Sequence, residues 1–155
     1  MEQYIQPFVN VCVNVFREFL DEEINVERPY FEQKEKLNEW DLSGVIGLSG
    51  EARGAVVISM KKELGIKITE ILTGNKHEHI DDDVVDAIGE LVNIIAGNVK
   101  KELEENFRLI ISLPTFIEGA KHKIKWPNIQ ARVMCIPFEI FQEDVFNLSV
   151  ALEKL

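Results

Sequence analysis

The 155-residue sequence has few cysteines and few basic residues. Its two cysteines, Cys12 and Cys135, stand in the apolar runs VCVNVF and VMCIPF, and no CxxC pair occurs. We therefore expect two reduced core thiols and no disulfide framework or catalytic cysteine. Lysine and arginine number 17 against 27 acidic residues, which gives a net charge of −10. Because phosphate contacts need clustered basic residues, this charge argues against a nucleic-acid partner and leaves a protein or a small ligand.

Long apolar runs are also missing from the chain. None reaches the roughly 18 residues that a bilayer-spanning helix needs. The first residues, MEQYIQPF, lack the basic segment and apolar run that are typical of a signal peptide. We therefore expect a cytoplasmic protein without membrane contact. With 46% apolar and 28% charged residues, the 155 residues can form one globular domain, spanning 1–155, with a sizeable core.

Hydrophobic periodicity predicts the order helix, three strands, helix, helix, three strands. The predicted helices cover 3–20, 61–74 and 82–106, and the predicted strands cover 26–33, 45–50, 54–60, 108–119, 131–141 and 145–153. WPN at 126–128 predicts a turn. Asp81 is a natural N-cap for the long helix, and the next two aspartates suit the positive end of its dipole. Alternating lysines in KHKIKW (Lys121, Lys123 and Lys125) indicate an edge strand protected against aggregation.

The two halves of the chain, about 1–75 and 76–155, resemble each other. A shift of 83 residues places Asn10 on Asn93, and it also places Arg17 on Lys100. This pattern indicates a duplication. At the position of Glu90 the first half has Pro7, so that only the second half retains the glutamate.

The segment DAIGELVNIIAGN (86–98) lies in the long helix and holds two interior glycines, each of which costs a helix about 1 kcal/mol relative to alanine. On a helical wheel of about 100° per residue, the apolar residues form one core stripe. The stripe consists of Val84, Val85, Ile88, Leu91, Val92, Ile95, Val99 and Leu103. The opposite face carries Asp86, Glu90, Asn93 and Gly97, with Gly89 at its edge.

Acidic and amide side chains on an outer helix face are most often simply solvated. Two features of this helix indicate that its outer face has a role beyond solvation. Asparagine is a mediocre helix former, and Asn93 has no capping role. Gly89 and Gly97 remove side chains from beside Glu90 and Asn93. With Ile94 as a candidate apolar contact at one side, we interpret this surface as a face that contacts another protein.

The pattern DxxxExxN, formed by Asp86, Glu90 and Asn93 and followed by Pro114 after a strand, resembles the signature of the CheC–CheX–FliY phosphatases of bacterial chemotaxis. The segments SGEARGAVVISM and LIISLPTFIEG are similar as well, and IQPF with a single complete site resembles the CheX-type members. The resemblance implies an α+β fold with two pseudo-symmetric helix–three-strand halves. Their strands would form a largely antiparallel sheet with two long helices packed on it, and the protein would form a homodimer through sheet edges.

The resemblance also implies a hydrolase that removes the aspartyl phosphate of a phosphorylated CheY-type response regulator. Asn93 would orient the attacking water, because a carboxamide offers both a donor and an acceptor. Glu90 would pair with the lysine in the active site of the regulator. The chain would bind no cofactor, and Mg²⁺ would belong to the regulator. The predicted partner contacts are Asp86, Gly89, Ile94, Gly97 and Pro114.

Other interpretations of the sequence remain open. The motif HEH (His77, Glu78, His79) precedes three aspartates and offers metal-ligating groups, but alternate histidines in a polar loop are typical of a surface, and we predict no metal site. We likewise predict that His122 is not a metal ligand. The alternative function is a non-catalytic module that binds a response regulator or belongs to a flagellar switch. A small-molecule sensor is disfavoured because no polar cluster converges on the groove between the helices.

Overall fold

A computed structural model describes residues 4–32, 39–124, 126 and 131–155. Within them the chain forms three helices and eight strands. The helices are α1 (Ile5–Leu20), α2 (Lys62–Thr73) and α3 (Asp82–Leu103). The strands are β1 (Asn25–Val26), β2 (Tyr30–Phe31), β3 (Leu42–Gly50), β4 (Ala52–Met60), β5 (Leu109–Ile111), β6 (Thr115–Glu118), β7 (Met134–Ile140) and β8 (Asp144–Lys154). The predicted α+β class is confirmed.

The strands form one sheet in the order β1–β7–β8–β4–β3–β5, with β2 also on β7 and β6 also on β3. Every one of these pairings is antiparallel. The two halves meet at the centre, where Val56 of β4 faces Val150 of β8. The short strands of each half pair with the long hairpin of the other half, so that the halves share one sheet. This exchange makes the sheet pseudo-symmetric.

Two predicted strands are each interrupted in the structure. The segment predicted as 108–119 is divided into β5 and β6, and the segment predicted from residue 26 is divided into β1 and β2, while its last residue, 33, lies outside the described range. Pro114 stands directly before β6, and Pro29 stands directly before β2. Proline has no N–H to donate to a strand ladder. The prolines therefore account for breaks at equivalent places in the two halves.

The prediction of an edge strand in KHKIKW is wrong for residues 121–124, which lie outside any strand, whereas Lys125 is not among the described residues. The chain turns here instead, with a positive φ of 56° at Lys121. His122 Nε2 lies 2.7 Å from Ser43 Oγ on β3 and Nδ1 lies 2.8 Å from the Gly119 carbonyl oxygen. This segment is held by a side chain and not by a strand ladder. The WPN turn cannot be compared, since residues 127 and 128 lie outside the described part.

The helices pack against one another, and α3 also packs against the sheet. Close approach of α3 to β3 depends on Gly44, where an added Cβ would lie 3.1 Å from Val92 Cγ1 and 3.3 Å from Ile88 Cγ2. The core also contains a stack of aromatic rings, with Phe146 at 4.8 Å from Phe16 and 5.2 Å from Phe138 between ring centroids. None of the helices in the described residues is long and apolar enough to span a membrane.

The predicted core stripe of α3 is buried, except that Val85 is half-buried because it lies at the edge of the stripe in the first turn. Gly89 and Ala96 are buried in addition. The helix ends at Leu103, and residues 104–106, which we predicted as helical, form a turn. Both cysteines are buried, and neither forms a disulfide within the described part of the chain, as predicted. Burial raises the pKa of the Cys12 thiol, which makes this group a poor nucleophile.

Candidate functional site

The outer face of α3 presents Glu90 and Asn93 away from the core. Glu90 is exposed and Asn93 is half-buried, because the core stripe of the same helix turns the opposite side toward the sheet. Three residues of helix separate the two positions by about 4.5 Å along the axis. Within the described part of the chain, neither side chain makes a hydrogen bond or an ion pair. Both polar groups are therefore available to a partner.

The start of α3 is held in place by its cap. Asp81 Oδ1 accepts a hydrogen bond from the Val84 backbone N–H at 3.1 Å, as the sequence predicts. Asp82 and Asp83 occupy the first turn, where negative charge interacts favourably with the helix dipole. Asp86 is exposed one turn before Glu90. The N-terminal half of this face is therefore acidic.

Gly89 lies beneath the connection between β5 and β6. A Cβ added to Gly89 would lie 3.6 Å from Pro114 Cγ, and Gly89 itself is buried. Ser112 positions the connection, because its Oγ accepts the Gly47 N–H at 2.8 Å. The structure thus brings Pro114 to the residue preceding Glu90. The space beside Gly89 faces Pro114 of the same chain, and any contribution of Gly89 to partner binding is indirect.

Gly97 differs from Gly89 because a Cβ added there would meet nothing within 4 Å. No packing contact in the described residues requires a glycine at this helix position. Ile94, predicted as an exposed contact, is half-buried and packs against the core, so that only part of its side chain faces outward. Of the two interior glycines, only Gly97 leaves open space beside Asn93.

The pseudo-equivalent face of α1 provides an internal comparison. Asn10, which a shift of 83 residues places on Asn93, has its Oδ1 occupied by the Gln6 side-chain amide at 2.8 Å. The same shift places Pro7 on Glu90 and Asn14 on Gly97. The first half therefore has no free carboxamide, no carboxylate and no cleared surface at the corresponding positions. This contrast favours α3 as the functional face.

Sequence reasoning missed Leu113, which stands beside Pro114 between β5 and β6. Its side chain is 87% exposed, which is unusual for a large apolar residue. The signal was present in the segment ISLPT, where a leucine directly precedes a proline that interrupts the predicted strand. Because the adjacent Pro114 lies against Gly89, Leu113 exposes an apolar side chain near the face that carries Glu90 and Asn93.

The structure brings together part of the HEH loop and the start of α3. His77 Nε2 lies 3.2 Å from Asp83 Oδ2 and 3.8 Å from Asp81 Oδ2, and Nδ1 lies 3.0 Å from the Asn75 carbonyl oxygen. Ligand atoms of these three residues lie within 4.8 Å of one another, a geometry that could hold a cation. The His77 imidazole already lies within ion-pair distance of both carboxylates. That this chain binds no metal stays a prediction. Glu78 and His79 are not in the cluster.

This cluster predicts a pH-dependent contribution to stability. The hydrogen bond that the His77 imidazole donates to Asp83 raises the pKa of His77 above its usual 6.5. The 5% exposed imidazole also faces Asp81, and Glu70 Oε2 accepts the His77 backbone N–H. A group whose pKa is higher in the folded than in the unfolded state contributes its full stabilisation at pH values below its unfolded-state pKa. This contribution is lost as the pH rises through its folded-state pKa.

We therefore expect the difference in unfolding free energy between wild type and His77→Gln to be largest below about pH 6.5 and to shrink as the pH rises above that value. Urea unfolding at a series of pH values measures this difference. A difference that does not change with pH would show that protonation of His77 contributes nothing.

The family model described as chemotaxis phosphatase CheX matches residues 42–139. The CheY-P phosphatase CheX of Thermotoga maritima is 29% identical over 112 residues, which cover 71% of this chain and 70% of that protein. Crystal structures of the chemotaxis protein CheX from Vibrio vulnificus and of the CheX–CheY–BeF₃–Mg²⁺ complex from Borrelia burgdorferi have the same fold. The first aligns with a TM-score of 0.87 and 24% identity over 97% of this chain and 99% of that chain. The second aligns with a TM-score of 0.80 and 25% identity over 97% and 98%.

Proposed function

The chain belongs to the CheX family of chemotaxis phosphatases, and we propose that it hydrolyses the aspartyl phosphate of a phosphorylated CheY-type response regulator. The observation that carries this proposal is the pair of side chains on the outer face of α3, Glu90 and Asn93, which make no hydrogen bond or ion pair with any residue that the structure describes. The CheY-P phosphatase relative and the complex of a related CheX with CheY support the same partner.

Asn93 has the chemistry required to place a water molecule. Hydrolysis needs a water in line behind phosphorus and stabilisation of the charge on the equatorial oxygens. The Asn93 carboxamide donates and accepts hydrogen bonds without titrating, so it can hold such a water across a wide pH range. Its contribution to the rate is positioning. We therefore assign Asn93 as the residue that orients the nucleophile.

The reaction needs no covalent intermediate on this chain. The water oxygen forms a new bond to phosphorus as the bond from phosphorus to the aspartyl oxygen breaks. The electron pair of the broken bond remains on the aspartate as a carboxylate, and the proton of the water leaves with inorganic phosphate. A carboxylate is a good leaving group and requires no general acid. This agrees with the buried, inaccessible cysteines and the lack of a candidate nucleophile on the outer face of α3.

Glu90 is proposed to pair with the lysine beside the phosphoryl group of the regulator. A carboxylate accepts a charge-assisted hydrogen bond from an ammonium group, and such bonds are about twice as strong as neutral ones. Glu90 is exposed and lies one helical turn from Asn93, so one docked partner reaches both residues. Glu90 would therefore set the register of the two proteins as well as contribute to turnover.

The metal in this reaction is proposed to belong to the regulator. Mg²⁺ held there would neutralise charge on the phosphoryl oxygens, while this chain supplies only Glu90 and Asn93. The related CheX–CheY complex contains Mg²⁺. Asp86, Ile94 and Pro114 would form the rim of the contact. Homodimer formation through the sheet edges stays a prediction.

Phosphate release tests the proposed function. A CheY-type regulator is phosphorylated with acetyl phosphate in Mg²⁺, and release is followed with and without catalytic amounts of this protein. We expect acceleration that disappears when EDTA removes the metal. Binding to the regulator without any change in the release rate would favour the non-catalytic binding module instead.

A further inference from the structure

We propose that a cleft at the C-terminal end of α3 binds an acidic segment of the response regulator whose phosphorylated site covers Asn93. The cleft measures about 680 Å³ and presents Lys100, Arg108 and Ile110. This inference rests on the proposed function, because the occupant is the same regulator. It adds a second contact, distant from the chemistry, that would govern affinity and orientation.

The cleft continues the surface that carries Asn93. Lys100 follows Asn93 by seven residues, which places it two turns and about 10 Å further along nearly the same line of the helix. A typical interface covers about 800 Å² on each partner, which corresponds to a disc of roughly 16 Å radius. A regulator domain centred on Asn93 therefore reaches the cleft without any change in either protein.

Gly97 lies between Asn93 and Lys100 along the helix, and it places no side chain on the surface between them. A Cβ there would meet nothing within 4 Å, so that packing within the described residues does not account for the glycine. Interior glycine costs a helix about 1 kcal/mol relative to alanine. Close approach of another backbone or side chain is a usual reason for a glycine in such a position. The path from the site to the cleft is therefore open to a partner.

The two cations of the cleft have no ion-pair partner among the described residues. Neither the Lys100 ammonium group nor the Arg108 guanidinium group lies within 4.0 Å of a carboxylate there. Glu51 and Glu104 also line the cleft, but Glu51 Oε1 already accepts the Arg108 backbone N–H at 3.0 Å. Two cations without an ion pair in the described part of a chain of net charge −10 are the groups with which an acidic partner segment would pair.

The first half of the chain shows how such a cation is normally paired. Arg17, the pseudo-equivalent of Lys100, forms two hydrogen bonds with Glu23, at 2.6 Å and 2.9 Å. The shift of 83 residues places Asn106 on Glu23, so the second half has replaced the paired acid with a neutral residue. Of these two equivalent positions, the one whose cation has no ion pair among the described residues, Lys100, lies in the half that also carries Glu90, Asn93 and Gly97.

Ile110 gives the cleft an apolar wall. Its side chain is 62% exposed on β5, next to the basic pair. The partner segment should therefore combine carboxylates with an apolar side chain. The cleft holds two cations beside Glu51 and Glu104, whereas the N-terminal part of the face carries only acidic groups. This difference in charge along α3 favours one orientation of the regulator.

Lys100→Glu, with Lys101→Glu as its matched control, tests the cleft. Both lysines lie in the last turn of α3, and each change alters net charge and the helix-dipole interaction equally, but only Lys100 lines the cleft. We expect Lys100→Glu to raise KM, and the Kd for the regulator loaded with beryllium fluoride, by about tenfold with kcat unchanged. Lys101→Glu should change either constant by less than about twofold.

Gly97→Gln provides a second test that separates docking from folding. The new side chain begins in open space and glutamine is a better helix former than glycine, so the free energy of unfolding in urea should not fall. The Kd for the same loaded regulator should rise by about tenfold or more, because the side chain blocks the path to the cleft.

The outcomes distinguish this inference from the proposed function. If wild type accelerates phosphate release but Lys100→Glu and Lys101→Glu have the same KM and Kd, the cleft is not a docking site and the phosphatase assignment stands. If wild type neither binds a regulator nor accelerates release, both proposals are wrong. A Gly97→Gln variant that is stable and binds normally would also overturn the docking path.

Discussion

Asn93→Ala is expected to lower kcat for phosphate release by about 100-fold or more, toward the rate of the regulator alone. The reason is that the carboxamide would hold the attacking water, and loss of that geometry removes a positioning contribution of this size. The free energy of unfolding should remain within about 0.5 kcal/mol of wild type, because the side chain makes no hydrogen bond in the described residues and alanine is the better helix former. KM should change little.

Phosphate release at several regulator concentrations separates kcat from KM for this variant. Asn10→Ala is the matched control, since Asn10 is the pseudo-equivalent asparagine on the exposed face of α1. That change should leave both constants at the wild-type values. If Asn93→Ala retained full activity, another group would have to hold the water. If it unfolded the protein, the assignment of Asn93 to the outer face of α3 would be wrong.

Glu90→Ala should lower kcat/KM by about 30-fold to about 1000-fold, with losses in both binding and turnover. Removing one partner of a buried, hydrogen-bonded charge pair at an interface costs about 2–4 kcal/mol, partly because the remaining charge stays desolvated. Here the remaining charge would be the lysine ammonium of the regulator. The fold should not be affected, because Glu90 is exposed and has no partner in the described residues.

The affinity of Glu90→Ala for a regulator loaded with beryllium fluoride and Mg²⁺ decides its role. Glu90→Gln keeps the shape and removes the charge, so it should fall between wild type and Glu90→Ala. Glu102→Ala serves as the control, since this exposed glutamate lies twelve residues further along α3, about 18 Å away. Unchanged affinity of Glu90→Ala would remove the proposed pairing with the lysine while leaving a role for Asn93 intact.

The helix face could be predicted from the sequence because helical periodicity is local. The positions of Glu90 and Asn93 opposite the core stripe follow from the 3.6-residue repeat, and the Asp81 cap follows from its place before the first turn. The strand interruptions at Pro29 and Pro114 could have been anticipated, since proline cannot donate to a ladder. The conformation of the KHKIKW segment could not be predicted from its residue pattern. Its alternation fits a strand, whereas its real anchor is the bond between His122 and Ser43, which are 79 residues apart.

The residues themselves determined the α+β class, the helix carrying the candidate site, the two side chains proposed for the chemistry, and the resemblance to a chemotaxis phosphatase. Tertiary structure alone decided that Gly89 lies beneath Pro114, that Gly97 is open, and that Lys100 meets Arg108 and Ile110 in one cleft. The reason is physical. A side chain's direction on a helix depends on its near neighbours in sequence, but its surroundings depend on strands that the fold brings from distant parts of the chain.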